Sequence, residues 1–142
     1  MRRRLFLQVS SGVVAATVIP GCAAMVATPV TPVNGEIRLA VRNYAQLEQP
    51  GGFLKLRPSG AGSPIYVLAL EAGAFSVVSS VCTHLQCTVN IDGASLVCPC
   101  HGSTYDREGR VLRGPAERPL TRYAAAMNAA GELVIRYAGE SS

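Results

Sequence analysis

The chain has 142 residues, room for one domain and a leader, and its 13 Lys and Arg against 9 Asp and Glu give a net charge of +4. The surplus sits at the front: Arg2, Arg3 and Arg4 precede the first acidic residue, Glu36, and without residues 1–21 the balance is 10 basic to 9 acidic. A body so nearly neutral projects no strong field, which argues against a nucleic-acid binder.

Residues 1–21, MRRRLFLQVSSGVVAATVIPG, begin basic and continue apolar from Leu5 to Ile19. The apolar run is about 15 residues, short of the roughly 20 that span a bilayer, and has the form of an export signal. Arg3 to Gln8, RRLFLQ, is similar to a twin-arginine signal. Ile19-Pro20-Gly21-Cys22 resembles a bacterial lipobox, although Pro20 departs from the usual small residue there. Cys22 is the odd one of five cysteines, and lipidation would account for a lone thiol in an oxidising compartment. The expectation is attachment at the periplasmic face of the membrane, through a lipidated Cys22 or an uncleaved signal anchor. Residues 22–34, CAAMVATPVTPVN, have no charge and two prolines, and read as an extended tether.

Residues 35–142 form the expected domain. With 14 Gly and 9 Pro in the chain and few helix-period runs, an all-β fold with many turns is favoured. Strands are expected at Glu36–Val41, Gly52–Arg57, Ile65–Leu70 and Phe75–Val81, with Glu71–Ala74 as a hairpin turn. Short strands follow near Thr88–Ile91 and Ser95–Val97 around the turn Asp92-Gly93-Ala94. A further turn has Glu108-Gly109 at its tip. The last expected hairpin crosses Asn128–Gly131, although the alanines before it would also tolerate helix.

Between the fourth strand and that turn lie four of the five cysteines and both histidines, in VCTHLQCTVNIDGASLVCPCHGSTYD, Val81 to Asp106. Cys82-x-His84 and Cys98-x-x-His101 each pair a soft thiolate with an imidazole, leaving Cys87 and Cys100 over. Three readings follow from the residues alone. One is a structural Cys₂His₂ zinc site, whose usual order groups the cysteines and then the histidines, unlike here. The second is a disulfide framework with incidental histidines, which leaves both histidine positions unexplained. The third is a [2Fe–2S] centre with two histidines on one iron and two cysteines on the other.

Cys82–Cys87, CTHLQC, and Cys98–Ser103, CPCHGS, resemble the two boxes of the Rieske iron–sulfur family; Gln86 departs from the Gly often found in the first box, with local packing the expected consequence. The resemblance implies a Rieske-type antiparallel β-sandwich carrying a small cluster-binding subdomain of two loops. It implies that Cys82 and Cys98 bind one iron, that His84 and His101 bind the other, and that a Cys87–Cys100 disulfide ties the loops, as in the high-potential branch of cytochrome bc-type complexes. Ser103 and Tyr105 would donate hydrogen bonds to a sulfide and a ligand sulfur, raising the potential. Gly102 would leave room for backbone at the cluster, Leu85 would shield it from water, and Gly114-Pro115 would belong to a loop covering it.

The function implied is electron transfer by one Rieske [2Fe–2S] cluster in a quinol-oxidising cytochrome bc-like complex. The donor would be a quinol at a cytochrome b-like subunit and the acceptor a c-type cytochrome. Alternatives are the small subunit of a periplasmic molybdenum oxidoreductase of arsenite-oxidase type and, from another class, a zinc-stabilised binding module. No nucleophile–base pair suggests catalysis by this chain alone, because the His101 ring beside Ser103 would be occupied by iron.

Overall fold

A computed structural model describes residues 26–71 and 73–137. Its strands are β1 (Thr28–Val30), β2 (Glu36–Ala40), β3 (Phe53–Pro58), β4 (Ile65–Glu71), β5 (Ala74–Ser79), β6 (Asn90–Asp92), β7 (Ser95–Val97), β8 (Thr104–Tyr105), β9 (Val111–Arg113), β10 (Ala125–Met127) and β11 (Glu132–Arg136). They form three sheets in the orders β1-β3-β4-β5, β10-β11-β2 and β6-β7-β8-β9. The fold is all-β, and two single 3₁₀ turns, Val41–Asn43 and Ala45–Leu47, link β2 to β3.

The first two sheets make the sandwich. Alternate residues of β2 (Ile37, Leu39), β3 (Leu54, Leu56) and β11 (Leu133, Ile135) meet Ile65 and Val67 of β4 and Val77 of β5 in one core. The intervening residues of β4, Tyr66 and Leu68, point the other way into a second core with Val78, Val89, Leu96, Tyr105, Leu120 and the two thiols Cys82 and Cys98. This double burial explains why Ile65–Leu70 reads as an unbroken apolar run and not as an alternation. It also puts the cysteines on a rigid platform, the back of the sandwich's central strand.

The chain outside that platform differs from the sequence reading at several points. Thr28–Val30, expected within the tether, is a strand paired parallel to β3 with Thr28 opposite Leu56. The folded body therefore starts before residue 35. Pro29 disguised this strand, because proline breaks central ladders but is tolerated at a sheet edge, where β1 lies. The alanines before Asn128 are strand, held by Ala125↔Ile135 and Met127↔Leu133 pairing. The expected strand end at Val81 falls at Ser79, and Val81 makes only an isolated bridge to Thr88. Residues 1–25 lie outside the described residues, and with them the signal, Cys22 and the start of the tether.

Candidate metal centre

The two cysteine–histidine loops are built alike. In the first, Cys82 N–H donates to Cys87 O at 2.8 Å and Gln86 N–H to Cys82 O at 2.9 Å. In the second, Cys98 N–H donates to Ser103 O at 2.8 Å and Gly102 N–H to Cys98 O at 3.0 Å. Each loop therefore turns on a left-handed residue four places after its first cysteine: Gln86 at φ 64° and Gly102 at φ 79°. At Gly102 it is the left-handed φ and not crowding that favours glycine, since a Cβ there would meet nothing within 4 Å. The departure at Gln86 is likewise a matter of backbone, not packing: a side chain occupies a position that favours glycine, at a cost of about 1–2 kcal/mol.

The loops are joined by a disulfide between Cys87 and Cys100. Cys82 and Cys98 remain as free, buried thiols. The His84 and His101 rings face one another at 4.9 Å between centroids, perpendicular to each other. His101 is exposed and His84 half-buried, and the Nδ1 of His84 is buried without a hydrogen-bond partner among the described residues. The sulfurs of Cys87, Cys98 and Cys100 also lie within 4.8 Å of one another. That trio is no ligand set, because two of its members are bonded together; of the three only Cys98 keeps a thiol.

The fully buried Tyr105 places its Oη 3.3 Å from Cys82 Sγ. Burial pushes the Cys82 thiol up, but hydrogen bonds from Tyr105, the His84 N–H, Cys98 and Ser103 together outweigh it and hold the thiol below its ordinary value. Burial pushes Cys98 up, and its neighbour Cys82 adds to this. Burial also raises Tyr105, with the hydrogen bond to Cys82 acting in the same direction. A site with two buried sulfurs, one of them in hydrogen-bond contact with a buried hydroxyl, and a buried imidazole nitrogen without a partner among the described residues fits a mixed sulfur–nitrogen metal centre. The residues able to hold it are Cys82, Cys98, His84 and His101.

A strap following β9 closes over the loops. Gly114-Pro115 is a cis peptide; just beyond it, Ala116 N–H donates to Ser103 Oγ at 2.9 Å. Thr83 Oγ1 donates to Arg118 O at 2.6 Å, and Thr83 N–H donates to Tyr105 Oη at 3.2 Å. Leu85 is not packed as a shield: it is 62% exposed and presents an apolar surface at the tip. In sequence, an apolar residue next to His84 reads alike as a cover or as a contact surface, and its exposure decides for the surface.

Three further residues matter that the sequence did not single out. Thr83 ties the first loop to both Tyr105 and the strap, and Ala116 acts through its backbone, which no side-chain motif reveals. Arg107, in the β8–β9 turn, donates from Nη2 to Gly51 O and, at 3.3 Å, to Gly52 O. It clamps the cluster layer to the turn preceding β3. Burial lowers its guanidinium pKa.

Residues 39–124 match the family described as the Rieske [2Fe-2S] domain. The chain belongs to that family. Its cofactor is accordingly one Rieske-type [2Fe–2S] cluster. The cytochrome b6-f complex iron-sulfur subunit of Synechococcus elongatus is 36% identical over 101 residues, covering 68% of this chain and 56% of that protein. The corresponding subunit of Chlorobaculum tepidum is 34% identical over 90 residues, 57% of this chain and 49% of the relative. The chain thus spans about half the length of the curated relatives it matches. Among solved structures, the cyanobacterial plasma membrane Rieske protein PetC3 from Synechocystis PCC 6803 superposes with a TM-score of 0.51 at 34% identity, covering 58% of this chain and 84% of that one. A Rieske monooxygenase, CntA, at 16% identity and a TM-score of 0.54, shares the fold alone.

Proposed function

We propose that this Rieske protein is the iron–sulfur electron-transfer subunit of a quinol-oxidising cytochrome bc- or b6-f-type complex. In that role Cys82 and Cys98 hold one iron of the cluster, and His84 and His101 hold the other. The observation that carries the reading is the Cys87–Cys100 disulfide, which staples the two loops directly beside two free buried thiols and a facing histidine pair. Disulfides persist in oxidising compartments, which agrees with the export signal in the sequence. The relatives described as cytochrome b6-f subunits support the choice of complex.

A [2Fe–2S] centre supplies one-electron chemistry there, and the chain's own groups set its terms. Tyr105 gives the Cys82 sulfur a hydrogen-bond donor, and the buried Ser103 hydroxyl is assigned the same role toward a sulfide of the cluster; both would favour added negative charge and raise the potential. Exposed His101 and Leu85 leave the tip open to a partner, with the quinol site of a cytochrome b-like subunit as donor side and a c-type cytochrome as acceptor. No helix among the described residues is long and apolar enough to cross a membrane. Attachment at the periplasmic face is assigned to residues 1–22, through the twin-arginine-type signal as anchor or through lipidated Cys22.

Affinity purification of the full chain from its own membranes tests this reading. It predicts co-purification of a b-type cytochrome and reduction of the centre by a quinol. Recovery of a large molybdenum subunit instead, with no quinol-dependent reduction, would overturn it.

A further inference from the structure

Charge is sorted along the layer that carries the two cysteine–histidine loops. β7 leads into Cys98 and β8 leaves from Ser103, so the β6–β7 and β8–β9 turns lie at the end of this layer away from the second loop. Those turns hold the acids: exposed Asp92 ends β6, and Asp106 and Glu108 lie in the β8–β9 turn, where Arg110 bridges them. The loop end has the opposite sign. Arg113 returns to it at the end of β9, opposite Thr104, and Arg118 is fixed at the first loop by its carbonyl, which accepts from Thr83 Oγ1 at 2.6 Å. Both arginines are exposed, and neither makes an ion pair among the described residues. Residues 82–87 and 98–103 contain no Asp, Glu, Lys or Arg, and the strap 114–118 has Glu117 as its one acid. A nearly neutral body is therefore polarised, positive at the loops and negative at the turns.

An apolar side chain accompanies the cations. The β8–β9 register steps from Tyr105↔Val111 to Thr104↔Arg113, so Leu112 has no partner across the ladder and is the extra residue of a β-bulge. Bulges re-aim side chains beside functional sites, and Leu112 is 60% exposed. Scattered exposed leucines need no explanation. Here, however, Leu112 and Leu85 are the only exposed leucines among the described residues, and both belong to the layer of the loops. A large apolar side chain beside arginines is the composition of an interface anchor with its rim.

We propose that Leu112, Arg113 and Arg118 form the docking surface for an electron-acceptor protein whose own face is acidic. This deepens the electron-transfer reading above and rests on it. Carboxylates on the acceptor are drawn to the two arginines before contact, and Leu112 is buried once the faces meet. One electron then passes from the reduced chain to a ferric haem of the acceptor, leaving the chain oxidised by one electron and the haem ferrous. The acids at the turn end repel the same partner, so the field selects the orientation that brings the loops to it. A bilayer with anionic headgroups is also negative, but the fold argues against it as the occupant. The chain enters at β1, on the opposite edge of its sheet from β5, and it is β5 that the segment after the strap joins, through the Val78↔Arg122 bridge.

The test uses the full, cluster-loaded chain and two probes, an acidic and a basic single-haem c-type cytochrome. Binding to each immobilised ferrous cytochrome is measured with the chain reduced, so that no electron passes; stopped-flow mixing with the ferric forms gives the rate of electron transfer. The acidic cytochrome should bind and react faster than the basic one at about 10 mM ionic strength. Arg113→Gln with Arg118→Gln should slow association with it about tenfold there and less than about twofold at about 0.5 M salt. Leu112→Ser should instead speed dissociation, by about three- to tenfold, with association unchanged. Arg136→Gln, an exposed cation on β11 of the other sheet, should behave as wild type. Preference for the basic cytochrome, or a double variant equal to wild type, would overturn the proposal. So would arginine-dependent capture of the chain by phosphatidylserine vesicles without binding to the acidic cytochrome. The functional reading fails separately, on recovery of a molybdenum subunit or absence of quinol-dependent reduction, neither of which these binding measurements register.

Discussion

Tyr105→Phe removes a single oxygen from beneath the cluster loops and leaves the ring that fills the second core. That oxygen accepts from Thr83 N–H at 3.2 Å, and lies 3.1 Å from Thr83 Oγ1 and 3.3 Å from Cys82 Sγ. Thr83 Oγ1 gives its one proton to Arg118 O and can only accept from the tyrosine, whose proton is therefore shared between Thr83 Oγ1 and the sulfur, with a charged sulfur the stronger acceptor of the two. A hydrogen bond to a charged acceptor contributes about 1.5–3 kcal/mol net. If about half of that differs between the two oxidation states, the potential falls by about 30–65 mV, taking 1.4 kcal/mol as about 59 mV for one electron. The Thr83 N–H also loses its acceptor, costing about 1–2 kcal/mol of stability. The assay is a mediated redox titration followed by circular dichroism, with thermal unfolding beside it. A midpoint equal to wild type, or a raised one, would refute the assignment of Tyr105 as a donor to Cys82.

Opening the disulfide with paired Cys87→Ser and Cys100→Ser removes a cross-link spanning 13 residues, and should cost about 3 kcal/mol in unfolding free energy. A denaturation midpoint unchanged by the pair would contradict its role as the staple of the loops. Gln86→Gly relieves the left-handed strain at φ 64°. After the extra chain entropy of glycine is subtracted, it should stabilise by about 0.5–1 kcal/mol, read by urea unfolding, and a destabilisation would contradict the strain. Asp106 accepts from Glu108 N–H, Arg110 N–H and Arg110 Nε; burial pushes its carboxyl up, but these bonds, led by the Arg110 side chain, outweigh it and hold the carboxyl below the usual range. A depressed carboxyl contributes stability above its unfolded pKa and loses it as pH falls through the folded one. Asp106→Asn should therefore be less stable than wild type at pH 7, with the gap closing as pH falls below about 4, the ordinary carboxylate value; a gap constant with pH would contradict the assignment.

Much of the sandwich is legible in the sequence because burial on one face or two leaves a pattern. Glu36–Ala40 alternates, Ile65–Leu70 runs apolar, and the turns carry Gly at Gly73, Gly93, Gly109 and Gly131, each with positive φ. What stays hidden works against its own propensity or through the backbone. Thr28–Val30 joins the sheet despite a central proline, and Ala125–Met127 is strand because β11 offers a ladder, not because alanine prefers one. At the site, the sulfurs and imidazoles announce themselves by type and spacing. The strap does not: its contacts are an N–H of Ala116 and a carbonyl of Arg118, groups that every residue possesses. The clamp of Arg107 on Gly51 and Gly52 escapes for another reason, since it spans 55 and 56 positions and sequence carries no sign of which turn its guanidinium meets.

In the proposed centre Cys82, Cys98, His84 and His101 together hold one [2Fe–2S] cluster. Pulsed electron paramagnetic resonance of the reduced, anaerobically prepared chain, grown with ¹⁵N-histidine, examines it most directly, alongside iron and acid-labile sulfide analysis. Equal iron and sulfide are expected, with two strongly coupled histidine nitrogens, one of them lost on His101→Cys. Iron without histidine coupling, or a chain with no acid-labile sulfide, would contradict it.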